Sequence, residues 1–225
     1  MCGRYSNTGK RGDELQRRMA ELLGVTQPDA DDGFERFNIA PTQEVLAAVD
    51  DERGRRLQEL RWGLVPEWTQ GAKPRFQMIN ARSETVLERS AYRDLVQRAR
   101  HRCLLLADGW YEWQQPEDPK QPRRPVHFSL PGGEPFCFAG LWTRRTASCT
   151  ILTCGANDLS RPIHDRMPVV LTEAARWEAW LDPTLDGPAV CELLAPLPSE
   201  ELCVRPANRV VNSALHDAPG CLSRS

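Results

Sequence analysis

Lysine is nearly missing from this chain of 225 residues: Lys10, Lys73 and Lys120 stand against 26 arginines among the 29 cationic side chains. Long apolar runs are missing too. Stretches such as residues 103–107 and 168–171 fall far short of the roughly 20 apolar residues needed to cross a bilayer, so no membrane association is expected. The first residues hold Arg4, Lys10 and Arg11 and no apolar stretch, which argues against a secretory signal and for a cytoplasmic protein. No C-x-x-C pair occurs, and the four histidines, His101, His127, His164 and His216, show no ligand spacing, so neither a metal nor another cofactor is expected. The formal net charge of −2 provides no global basic field to announce a nucleic acid. Neither a linker nor an internal repeat divides the chain, which reads as one domain over residues 1–225, with its core at 2–212 and a loose tail at 213–225.

What is present is rich in strands. Apolar and β-branched residues favour strands at 44–49, 57–62, 101–107, 110–113, 126–130, 136–142, 150–154, 169–171 and 202–205, and Pro131-Gly132-Gly133-Glu134 reads as a hairpin turn between two of them. Helical spacing appears at 13–23, at about 90–100 after a Ser90 cap, at 173–181 after Thr172, and from Pro188 to about residue 194. Strands adjoin strands and do not alternate with helices. The expected class is therefore α+β, with a mostly antiparallel, curved or barrel-like sheet flanked by helices. The eight cysteines are expected to be reduced, with Cys103, Cys137 and Cys203 in the core, and Trp62, Trp142, Trp177 and Trp180 are read as core as well.

The second residue is a cysteine. If Met1 is removed, Cys2 carries an amine and a thiol on adjacent carbons, a 1,2-aminothiol that condenses with an aldehyde through nitrogen and closes a thiazolidine through sulfur. An α-amine has a reference pKa of about 7.7 to 8.0 against about 10.4 for lysine, so near pH 7 its neutral fraction is some hundreds of times larger. Taken alone, Cys2 reads more simply as a small residue near a start codon. Glu112 sits as a lone carboxylate within Trp110-Tyr111-Glu112-Trp113, an apolar setting that raises a carboxyl toward the range useful for general acid and base work, although a surface glutamate on an edge strand fits the same pattern. His164, followed by Asp165, titrates near neutrality, and Asn80 offers both a donor and an acceptor. Arg82 faces the same side as Asn80 if the segment is extended, and with Arg4 and Arg166 it is a candidate for phosphate contact. Trp68 and Trp113 are candidates for stacking on bases.

Six segments carry a further signal: Met1-Cys2-Gly3-Arg4-Tyr5, Arg61 to Trp68, Asn80-Ala81-Arg82-Ser83-Glu84-Thr85, Ala107 to Trp113, Phe138 to Trp142 and Ile163-His164-Asp165-Arg166-Met167-Pro168. Together they resemble the SRAP family, whose members cross-link to abasic sites in single-stranded DNA. The resemblance runs from residue 1 to about Asn212, departing at Leu106 (usually proline), Trp110 (usually phenylalanine) and Tyr5 (commonly phenylalanine). It implies the SRAP fold and an active site of Cys2, Asn80, Glu112 and His164, and Pro41 resembles a family element lining the DNA groove although a turn proline is the simpler account; Arg4, Arg82, Arg166, Trp68 and Trp113 stay the candidates for DNA contact by residue type. It also implies a monomer that is nucleoid-associated when bound to damaged DNA, peptidase-type removal of its own Met1, and weak lyase activity by β-elimination. Two rivals remain: an N-terminal-nucleophile hydrolase, in which the thiol attacks an amide, and a non-covalent single-strand binding module.

Overall fold

A computed structural model describes residues 2–8, 35–69 and 77–223, together with Glu21 and Gly24. The helix expected at 13–23 lies outside this range apart from Glu21. In chain order the elements are β1 (Tyr5–Asn7), β2 (Arg36–Ile39), β3 (Glu44–Asp51), β4 (Gly54–Trp62), β5 (Asn80–Arg82), α1 (Arg93–Val96), β6 (Arg102–Ala107), β7 (Gly109–Gln114), β8 (Arg124–Ser129), β9 (Phe136–Thr143), β10 (Ser148–Gly155), β11 (Arg166–Pro168), β12 (Val170–Leu171), α2 (Ala174–Leu181), α3 (Gly187–Cys191) and β13 (Cys203–Pro206). The mainly β character and the curled sheets match the expected α+β class. No helix among the described residues is long and apolar enough to cross a membrane.

The strands form two sheets. The larger follows the path β11-β10-β4-β3-β6-β9-β12, and an added pairing of β10 with β9 closes β4, β3, β6, β9 and β10 into a ring. Closure leaves those strands without free edges. Its pairings are antiparallel except for β10 beside β4 and β5. The smaller sheet runs β13-β8-β7-β1-β2, and Asp108 alone separates β6 in one sheet from β7 in the other.

Composition explains why these segments sit where they do. Every residue of β6 and β9 is buried, as expected of strands covered on both faces. Gly140 of β9 is required by close approach, because a Cβ there would lie 2.2 Å from Leu105 Cδ1. Helix α2 covers the ring through Trp177 and Trp180, whose indole N–H groups donate to Leu171 O at 2.8 Å and Cys103 O at 3.0 Å. The guanidinium of Arg102, fully buried, donates to the carbonyls of Val96, Asp182 and Leu185, tying the ends of α1 and α2 together. Tyr5 wedges its ring edge-on between Trp62 at 5.3 Å and Phe138 at 5.5 Å.

Several expectations are corrected. Pro131–Glu134 does not close a hairpin: β8 pairs with β7 and β13, and β9 with β6, β10 and β12, so this turn carries the chain from one sheet to the other. The helix read at 90–100 shrinks to α1, since Arg98 is extended and breaks it before the short turn Ala99–His101, and Ser90 does not cap it. Thr172 gives no cap to α2, whereas Asp186 caps α3 by accepting from Ala189 N–H at 3.0 Å. Cys203 is exposed on the edge strand β13. Residues 213–223 are tied down, not loose: Asp217 accepts from the Phe37 and Asn38 N–H groups, Asn38 donates to Ser213 O and His216 O, and Cys221 is fully buried.

Candidate functional site around Cys2

The first residues enter the protein and do not trail from it. Strand β1 is inserted between β2 and β7, Tyr111 N–H donates to Arg4 O at 2.9 Å, and upstream of these bonds Cys2 is fully buried. Asn80, on β5 beside β10, donates from Nδ2 to Cys2 O at 2.7 Å. Its Oδ1 is buried and accepts no hydrogen bond among the described residues, so an acceptor stands ready beside the Cys2 backbone.

Alternation along β7 puts Trp110 and Glu112 on one face and Tyr111 and Trp113 on the other. The Glu112 side is the Cys2 side. Glu112 is almost wholly buried, and burial raises its carboxyl from 4.5 to about 7, against the pull of the positive amino terminus. Burial, and then the negative charge of Glu112, push the Cys2 thiol well up, so the sulfur is held as S–H.

His164 is half-buried in the turn before β11, and burial followed by the amino-terminal charge lowers its pKa. The backbone N–H of Arg166 donates to Nδ1 at 3.1 Å, which assigns the proton of the neutral ring to Nε2. Asp165 Oδ1 lies 2.9 Å from the same nitrogen and pairs with the ring once it is protonated. Cys2, Glu112 and His164 thus share one electrostatic neighbourhood with the amino terminus, and Asn80 joins it by direct contact.

The residues expected to hold DNA divide. Arg82 is exposed and lines a cavity of about 280 Å³ with Asn80, Thr85, Arg89 and Tyr92. Ser90 and Ala91 also line a second cavity, of about 190 Å³, that reaches Trp68. Trp68 is 62% exposed, on the short turn Glu67–Thr69, so its indole face is open. Pro41 is half-buried in a turn before Thr42, which has a φ of 76°. Arg4 and Trp113 instead pack on each other: Arg4 lies 5.9 Å from the Trp113 ring and donates to Asn38 Oδ1 and Val211 O, while Trp113 Nε1 donates to Asn212 Oδ1. Arg166 is taken by Glu84 and Thr153 O and points inward.

Sequence reasoning missed three participants. Glu84 lies inside a segment already singled out, but its partner is 82 residues away. Tyr92, whose OH donates to Asn80 O at 3.4 Å, and Arg89 carry no local signal at all. Among the described residues no group of three or more His, Cys, Asp or Glu side chains could hold a metal ion.

A sequence model of the family described as SOS response associated peptidase (SRAP) matches residues 1–214. The chain belongs to the SRAP family. It is 34% identical over 231 residues to the abasic site processing protein YoqW of Bacillus subtilis (strain 168), covering 97% of each chain. It is 31% identical over 223 residues to the abasic site processing protein YedK of Escherichia coli (strain K12), covering 95% of each. With the abasic site processing protein HMCES of Gallus gallus it shares 31% identity over 202 residues, 76% of this chain and 58% of that one. Among solved structures, a Bacteroides thetaiotaomicron protein superimposes with a TM-score of 0.79 at 21% identity over the full length of both chains. A phage-related protein of Bordetella bronchiseptica does so at 0.67 and 28% identity, over 92% of this chain and 95% of that one. This SRAP chain therefore shares sequence with the curated relatives over nearly its whole length and architecture with the solved structures.

Proposed function

We propose that this SRAP protein processes abasic sites in single-stranded DNA by capturing them covalently on Cys2 after loss of Met1. The supporting observation is the placement of Cys2, buried with its carbonyl held by Asn80 and its thiol in the field of Glu112. Three abasic site processing relatives, YoqW, YedK and HMCES, support the substrate class.

Hydrolysis of the Met1–Cys2 peptide bond frees the amine. The abasic sugar opens from its hemiacetal to the C1′ aldehyde, with His164 passing protons at the ring oxygen. The Cys2 amine adds to C1′, and the resulting carbinolamine loses water to give an imine. Glu112, near 7 and so divided between its two forms at neutral pH, accepts a proton from the attacking amine and returns one to the departing hydroxyl. Sulfur then adds to the imine carbon, its proton passes to nitrogen, and the product is a thiazolidine. Overall one water is lost. Asn80 Oδ1 accepts from the amine N–H, orienting its lone pair. An imine that does not close is open to β-elimination, giving weak lyase activity. Arg82 and Trp68 hold the strand through phosphate and base.

The test is intact mass and a denaturing gel after mixing protein that begins at Cys2 with a strand carrying one abasic site, beside an undamaged strand and the Cys2→Ser variant. The expected product equals protein lacking Met1 plus DNA minus one water, stable without borohydride and absent from both controls. No adduct would overturn the proposal and favour amide hydrolysis. Unchanged binding by Cys2→Ser without any wild-type adduct would favour a non-covalent binding module.

A further inference from the structure

Asp108 is the residue between the two sheets, and it grips the amino-terminal strand from both ends. Its backbone N–H donates to Ser6 O at 3.0 Å. Its Oδ1 accepts from Ser6 Oγ at 2.6 Å, and its Oδ2 accepts from the backbone N–H of Thr8 at 2.8 Å and from Thr8 Oγ1. Asp108 is buried, 6% exposed, so these bonds are shielded from water. Behind Ser6 stands His127, with Nε2 2.9 Å from Ser6 Oγ. A carboxylate only accepts, so Ser6 donates to Asp108 and receives the Nε2 proton of His127. Burial, and then Arg205, press His127 down to about 3, so its ring is neutral and its one proton belongs to this chain of bonds. The packing leaves no slack: a Cβ on Gly109 would lie 2.2 Å from His127 Nε2.

The arrangement matters because β1 is three residues long and its pairing with β2 is already irregular between Tyr5 and Asn7. So short a strand has few pairing bonds of its own, and a slip of one residue turns every side chain to the opposite face. Such a slip would carry Cys2 away from Glu112 and Asn80. We propose that Asp108 is a positioning residue: by locking Ser6 and Thr8 it sets the register of β1 and thereby places the Cys2 nucleophile. The inference rests on the function proposed above. Asp108 touches neither substrate nor the reacting atoms.

The experiment compares wild type with Asp108→Asn, Asp108→Ala and Ser6→Ala, each confirmed by mass to begin at Cys2. Three quantities are read: the single-turnover adduct rate at saturating abasic strand, the Kd for the same strand bearing a tetrahydrofuran that lacks the aldehyde, and deuterium exchange across residues 3–8. Asn keeps the shape of Asp but sets a donor against one of the donors of β1, so Asp108→Asn decides the matter if Asp108→Ala does not fold. The expected result is a saturated rate lowered on the order of tenfold or more, with Kd unchanged and exchange accelerated at 3–8 alone. A wild-type rate despite faster exchange, unchanged exchange, or rate and affinity falling together would overturn it. Wild-type protein that forms no adduct would instead remove the proposed function, and the exchange at 3–8 would then judge the clamp alone.

Discussion

Arg166 and Glu84 close a two-pronged salt bridge, Nη1 to Oε1 at 3.0 Å and Nη2 to Oε2 at 2.8 Å, that fastens the segment carrying His164 to the segment carrying Asn80. Thr153 O takes a further bond from Nη2 at 2.6 Å, so the guanidinium is spent inside the protein.

The salt bridge gives an acid-range prediction. The Arg166 hydrogen bond holds the Glu84 carboxyl below its ordinary 4.5, so its stabilisation is complete above that value and is lost as pH falls through the lowered one. Half of the Glu84 side chain is exposed, which reduces the effect to about 1 kcal/mol. Glu84→Gln is expected to lower the melting temperature near pH 7 and to lose less stability than wild type below pH 4, as read from thermal melts across pH.

Glu112 shows the opposite sign. Its folded pKa, about 7 against 4.5 unfolded, favours the protonated form, so its contribution is full below 4.5 and disappears as pH rises through 7. Glu112→Gln is expected to gain stability over wild type above pH 7, up to on the order of 3 kcal/mol, in urea titrations at pH 5 and 8.5. The adduct rate of the same variant should fall and lose its inflection near pH 7.

Tyr5 carries a hydroxyl that is fully buried without a hydrogen-bond partner. Leaving such a group unsatisfied costs about 1–3 kcal/mol, so Tyr5→Phe is expected to raise stability by about 1 kcal/mol while the ring contacts with Trp62 and Phe138 persist. Chemical denaturation checks this, and the adduct rate should not change.

Arg82 and Trp68 should separate by salt. Arg82→Ala is expected to weaken binding of any single strand and to reduce the slope of log K against log salt by about 1. Trp68→Ala is expected to cost about 1–3 kcal/mol of affinity with the slope unchanged. Arg166→Ala should leave the slope as it is, because its charge already faces Glu84. Fluorescence anisotropy over a salt series distinguishes the three.

The fold was legible where apolar residues run continuously. The ranges read at 101–107 and 136–142 match β6 and β9 closely, because burial on both faces leaves mostly apolar residues there. The short strands β1, β2, β5 and β11 were missed, since three or four residues show little periodicity, whereas β12 and β13 were read at 169–171 and 202–205.

The sequence by itself determined the chemistry on offer: a Cys2 that becomes an aminothiol if Met1 is lost, a carboxylate at Glu112 among aromatics, an imidazole at His164 and an amide at Asn80. Only the tertiary structure decided which groups meet. Arg4 and Arg166, candidates for phosphate contact by residue type, have Trp113 and Glu84 as neighbours, and Asp108, one residue of a dense segment, meets Ser6 and Thr8, 102 and 100 positions away. The reason is physical. Residue type sets what a side chain can do, but its pKa, its partner and its direction come from burial and from groups distant in the chain, which no local pattern encodes.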